Sequence, residues 1–214
     1  LSPRIFAESF YNSRDIFFMS LFIFYIFSGY NFINNKNLSN SIIFAFFTAL
    51  LINAKIFGLI PFGIFCLLYL YNFSHTNKRF VRERKIITFY FLFCIFFIYI
   101  FWPFLWNNPF LNLLSAFKNI LETHESLIII NHYFGNYMPS DMMPWHYRFV
   151  WFVITTPITV LILFFGGLII VSKKLLIVIS KSLDNSYQIN NKHFLDLFLF
   201  LVFFASFFVA AEFN

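Results

Sequence analysis

The chain has 214 residues, of which 60% are hydrophobic and only 11% charged, and 38 are phenylalanine. A soluble domain carries about 45–50% apolar and about 25% charged residues, so this composition argues against a soluble globular fold and for a polytopic membrane protein. The formal charge of +6 does not point to nucleic acid, because the basic residues fall between hydrophobic runs, where they set orientation.

Residues 1–15 are polar and aromatic and hold Arg4, Glu8, Arg14 and Asp15. The opening Leu1-Ser2-Pro3-Arg4 reads as the interior of a loop rather than a signal peptide, so a fragment of a longer protein is expected. Ile16 to Ile33 forms a first apolar run of spanning length, since a span needs about 20 residues. Asn34 to Asn40 is a short polar turn with Lys36.

Ser41 to Tyr71 is too long for one upright helix, and Asn53-Ala54-Lys55, Gly58 and Pro61 interrupt it. A charge at bilayer centre costs about 3 kcal/mol on insertion scales. Lys55 is therefore expected at a membrane surface, between two shortened spans. A single helix over 41–71 is the second choice, because it would leave Lys55 in lipid. Cys66 and Cys94 lie inside expected spans and form no CxxC, so both read as small buried apolar residues.

Ser74 to Lys85, with Lys78, Arg79, Arg82, Arg84 and Lys85, reads as a cytoplasmic loop. Ile86 to about Phe101 spans next. Residues 102–148 form a long polar and aromatic loop with Pro103, Pro109, Pro139 and Pro144. Within it Asn108 to Leu121 has helical spacing, with one apolar face suited to the membrane surface. The loop ends in Pro144-Trp145-His146-Tyr147-Arg148. The plain reading of that stretch is an aromatic belt at a helix start; the sharper one is a cover over a lipid-borne substrate. Phe149 to Val171 spans again, with Gly166-Gly167 as an expected close-packing point. Residues 172–193 carry Lys173, Lys174, Lys181 and Lys192, and Phe194 to Ala211 is the last span.

The expected fold class is all-α: a membrane helical bundle with about six spans. Residues 1–214 read as a single transmembrane domain, part of a larger one. The cations support that count. Lys36 and the basic runs of 78–85 and 172–193 fall on one side; Arg4, Arg14, Lys55, Lys118 and Arg148 fall on the other. The richer side is expected in the cytoplasm, which puts residues 1–15, the Lys55 turn and 102–148 outside.

Asp15 has two readings. It can simply favour the positive end of a helix that Ser13 caps. It can also face an active site in which Arg4 and Arg14 hold phosphate, which suits the planar, always-charged guanidinium. Lys55 can snorkel or contact a lipid phosphate. His124, Glu125 and His132 lack the spacing of a helix face, so no cofactor or metal is called for beyond a divalent cation as a remote alternative. No G-x-S-x-G, P-loop or G-x-G-x-x-G occurs.

Arg4-Ile-Phe-Ala-Glu8-Ser-Phe-Tyr-Asn-Ser-Arg14-Asp15, Lys55-Ile-Phe-Gly58, Trp102-Pro-Phe-Leu-Trp106-Asn-Asn-Pro109, Pro144-Trp-His-Tyr147 and Ile154-Thr-Thr-Pro157 occur in an order that resembles bacterial members of glycosyltransferase family 39, relatives of the dolichyl-phosphate-mannose protein mannosyltransferases. The resemblance covers most of residues 1–171. It implies a GT-C fold and an enzyme of the bacterial cytoplasmic membrane with its active site on the extracytoplasmic face. Such an enzyme moves a sugar from a polyprenyl-phosphate donor to a lipid, glycan or protein acceptor. It further implies Asp15 as a supporting catalytic carboxylate, with the main base upstream of residue 4. Arg4, Glu8, Arg14, Lys55, Trp145, His146, Tyr147 and Arg148 are the implied substrate contacts, with membrane lipids as the other partners. A transporter or lipid flippase, with Lys55 and Asp15 lining a pathway, is the alternative from a different class.

Overall fold

The computed structural model describes residues 3–74, 80–126, 130–182 and 191–212. Nine helices follow one another among these residues: α1 (Pro3–Tyr11), α2 (Ser13–Asn34), α3 (Leu38–Ala54), α4 (Leu59–Ser74), α5 (Phe80–Phe101), α6 (Pro109–Ser126), α7 (Tyr147–Thr155), α8 (Ile158–Ser182) and α9 (Asn191–Glu212). Between α6 and α7 stands a two-stranded antiparallel hairpin, β1 (Ile130–Tyr133) and β2 (Asn136–Pro139).

The short turn after α2 is made by asparagines. Asn37 caps α3 by accepting a 2.8 Å bond from the Asn40 amide. The Asn40 side chain donates in turn to the Asn35 carbonyl at 2.8 Å. Caps of this kind satisfy groups that a helix end leaves unpaired. So tight a turn sends α3 back antiparallel along α2, and α5 packs against α3 as well.

The core is aromatic. The Phe44 ring of α3 lies within 4.8–5.5 Å, between ring centres, of Tyr25, Phe32, Phe65 and Tyr90, which come from α2, α4 and α5. Gly29 makes room for it, since a Cβ there would meet the Phe44 ring at 3.0 Å. Small residues let helices approach in this way. A few polar ties fix the register. The Tyr25 hydroxyl donates to the Pro61 carbonyl at 3.2 Å, and Ser41 donates to the Ile86 carbonyl at 3.2 Å. The Thr48 and Tyr90 hydroxyls meet at 3.2 Å.

Several expectations need correction. The chain is mostly helical, as expected of an all-α fold, but the hairpin departs from it. Its register pairs Tyr133 with Asn136 across a two-residue turn in which Phe134 has φ +46° and Gly135 φ +86°. Two positive φ values define the type I′ turn, whose twist matches that of the flanking strands. The run 149–171 is not one helix. Thr156 is extended (φ −97°, ψ 134°) and separates α7 from α8, because Pro157 disfavours helical backbone in the residue before it and cannot donate. Gly166 and Gly167 pack against nothing: a Cβ at either position would meet no atom within 4 Å among the described residues. The basic segments are less loop-like than expected. Helix α5 already begins at Phe80, α8 runs on to Ser182 and α9 starts at Asn191; residues 75–79 and 183–190 lie outside the described residues.

Among the described residues, α2 and the Ile158–Leu176 part of α8 are long and apolar enough to cross a membrane. The segments Leu38–Ala54, Ile56–Leu70, Lys85–Phe101 and His193–Ala205 are shorter apolar helices. Against the expected count of about six spans, two of the described helices have full length.

Candidate functional site

The break between α3 and α4 positions an ion pair between Lys55 and Asp15. Helix α3 stops at Ala54, and Lys55 is extended (φ −151°, ψ 138°). A 3-10 turn, Ile56–Gly58, then folds back, with the Gly58 amide donating to the Lys55 carbonyl at 2.8 Å. Gly58 is required sterically. A Cβ there would stand 2.6 Å from the Leu51 carbonyl oxygen, which is backbone and cannot swing away. Pro61 falls in the first turn of α4, where a missing N–H costs nothing.

The second partner comes from the start of α2. Asn12 (φ −128°, ψ 62°) breaks the chain between α1 and α2 and is the N-cap residue without a side-chain cap bond. Ser13, expected as the cap, is instead the first helical residue. Asp15 follows in the first turn, where a carboxylate faces the positive helix end. The Lys55 ammonium pairs with the Asp15 carboxylate, and the Asn12 amide donates to its other oxygen. Lys55 and Asp15 are 35% and 49% exposed, so the pair is open on one side. The structure therefore brings together two of the expected site residues that lie forty positions apart. It also excludes the single helix over 41–71.

Asn53 went unnoticed in the sequence except as a breaker. Both polar atoms of its side chain are buried and lack a hydrogen-bond partner. An unpaired buried amide costs about 1–3 kcal/mol. It lies one helical residue from the break, next to the Lys55 turn.

Trp145, His146 and Tyr147 form a second cluster. Tyr133 of β1, another residue the sequence did not single out, is buried and lies 5.1 Å from the Tyr147 ring and 6.1 Å from His146, between ring centres. Its hydroxyl is buried without a partner. Trp145 stands edge-on to His146 at 5.6 Å and is largely exposed. His146 is the residue before α7 and makes no side-chain cap bond. This cluster is held by the hairpin, whereas the Lys55–Asp15 pair is held by α2, α3 and α4. Arg14 is exposed at the second position of α2. Arg4 and Glu8 are one turn apart on α1 and Arg148 is in the first turn of α7; their side chains lie outside the described residues. Of the three metal-ligand candidates, His132 stacks edge-on against Tyr137 at 5.1 Å, and the side chains of His124 and Glu125 lie outside the described residues. No three His, Cys, Asp or Glu gather among the described residues.

Fold and site together describe an apolar, aromatic-cored helical bundle with a half-open ion pair at a helix break. Comparison with protein-family models, curated proteins and solved structures returned no match in any of the three.

Proposed function

We propose that the chain is a multi-pass membrane domain of a glycosyltransferase that takes a sugar from a polyprenyl-phosphate carrier on the extracytoplasmic face. The Lys55–Asp15 pair is the observation that carries this reading. Six helices, α2, α3, α4, α5, α8 and α9, would cross the bilayer. Their outward surfaces support this: Leu67, Ile95, Ile162 and Leu163 are each more than 60% exposed, and patches of that kind mark a lipid or protein contact.

Helices α3 and α4 have 17 and 16 residues, which at 1.5 Å per residue is about 24–26 Å, less than the roughly 30 Å hydrocarbon core. The break they share would therefore lie just below the outer surface. An ammonium there needs a counter-charge or a phosphate. Asp15 supplies the counter-charge at rest. Transfer from a lipid phosphate needs cations on the departing phosphate and a carboxylate toward the acceptor. Lys55 and Arg14 fit the first need, and Asp15 the second as a supporting group. Asn53 adds a free amide beside them. Trp145, His146 and Tyr147, with Arg148, Arg4 and Glu8, are proposed to close over the same outer cavity. No cofactor enters the reaction.

The test uses the full-length reading frame. Lys55→Ala and Asp15→Asn are each expected to depress transfer about ten- to a hundredfold, the loss of one charge-assisted bond, at unchanged abundance. Lys173→Ala, exposed on α8, is the control. A purely structural pair predicts that the double variant recovers, because both charges are then gone. Recovery would defeat the proposal. The same pair at a break in short helices also fits a transport pathway. Acceptor-independent movement of the carrier across vesicles, lost in both variants, would favour that second reading instead.

A further inference from the structure

A cavity of about 270 Å³ opens between α2, α4 and α5, walled by Phe32, Phe65, Cys66, Tyr69 and Thr88. It lies at the far end of the bundle from the Lys55–Asp15 pair. Helix α2 runs from Asp15 toward Asn34, and α3 returns from Leu38 to the break, so Phe32 and Lys36 belong to the opposite end. The walls are almost wholly apolar, but the rim is cationic. The Lys36 ammonium stands 5.6 Å from the centre of the Tyr69 ring, which is itself part of the wall. Lys85 is exposed two residues before Ile87, another wall residue.

We propose that this cavity holds part of one acyl chain of an anionic glycerophospholipid whose phosphate lies at Lys36. Size and polarity decide the occupant. The volume is just under the roughly 300–1,000 Å³ of ligand pockets, so it takes a stretch of a single chain and leaves the rest of the lipid outside. The headgroup then falls at the rim, where the cation is. The start of α5, whose sequence carries Arg82, Arg84 and Lys85, lies at the same end, and basic runs favour anionic lipid surfaces. The inference rests on the bundle being embedded in a membrane and is independent of the transfer reaction. Failure of that premise would show separately, as protein that stays soluble without detergent.

Cys66 provides the probe. It lines the cavity and is partly exposed, whereas Cys94 is buried with its thiol directed at the Ala45 carbonyl, 3.9 Å away. Full-length protein is delipidated in an uncharged detergent, and alkylation of Cys66 by a membrane-permeant maleimide is timed by mass spectrometry. Dioleoyl phosphatidylglycerol is expected to slow the reaction about fivefold more than dioleoyl phosphatidylcholine at equal concentration, the factor matching about 1 kcal/mol per basic residue at an anionic surface. Lys36→Gln is expected to erase the difference between the two lipids, and Lys36→Arg to keep it. Equal slowing by both lipids, unchanged in Lys36→Gln, overturns the proposal. So does a Cys66 that stays unreactive with and without lipid, which would put a protein segment in the cavity.

Discussion

Gly58 shows how much of the site depends on one missing methyl group. The 3-10 turn folds so tightly over the end of α3 that a Cβ would stand 2.6 Å from the Leu51 oxygen. Gly58→Ala must push backbone apart, and overpacking of this kind costs about 1–3 kcal/mol. The shift also moves the carbonyl of Lys55, which accepts from the Gly58 amide. Gly63, five residues on in α4, has open space where its Cβ would be. Gly63→Ala removes a helix-interior glycine and is expected to stabilise by about 0.5–1 kcal/mol. Thermal unfolding in detergent checks both signs. If the two variants shift the midpoint alike, the tight turn is not what holds Lys55 against Asp15.

At the scale of elements, some features were legible in the chain and some were not. The break at Lys55 was legible because three signals coincide there: a charge in an apolar run, a glycine and a proline. Helix α6 was legible through Pro109 and the spacing of Leu111, Leu114 and Phe117, all exposed along one side. The break at Pro157 was visible as a residue but was outweighed by the apolar run around it. The hairpin was not legible. Its strands are four residues each, with no alternation of apolar and polar positions, and its turn is Phe-Gly rather than the usual Asn-Gly. Tyr133, and with it the anchor of His146 and Tyr147, was missed for that reason. The turn makes its own prediction. A left-handed conformation costs an ordinary residue about 1–2 kcal/mol, and Phe134 bears that cost while resting 4.5 Å from the Tyr133 ring. Phe134→Asn is expected to slow amide exchange in β1 and β2 a few-fold, and Gly135→Ala, at φ +86°, to speed it. Faster exchange in Phe134→Asn would mean that the ring contact outweighs the backbone strain.

Over the whole molecule the packing sorts the described helix ends into two sets, and the proposed orientation follows from where the cations fall among them. The pairing of Asp15 with Lys55 puts the start of α2 and the α3–α4 break at one end of the bundle. The Asn-rich turn and Lys36 then lie at the other, together with the start of α5 and its basic run. Alternation through α5 returns the chain to the first end at Phe101, where the 3-10 turn Pro103–Leu105 and α6 follow. Helix α8 has 25 residues, about 37 Å at 1.5 Å each. It is long enough to cross a roughly 30 Å core and to carry its last turns, with Ser180, out on the far side. Lys36 and Lys85 lie at that far side among the described residues, and the proposed reading puts it in the cytoplasm by the positive-inside rule. Single cysteines at Ser140 and Ser180 test the assignment in a background lacking Cys66 and Cys94. An impermeant maleimide applied to intact cells is expected to label Ser140→Cys and to spare Ser180→Cys until the membrane is permeabilised. The reverse pattern would turn the bundle over and put the Lys55–Asp15 pair in the cytoplasm, where a carrier presented on the outer face cannot reach it. Labelling of both in intact cells would mean that α8 does not cross, and the six-span arrangement would fall with it.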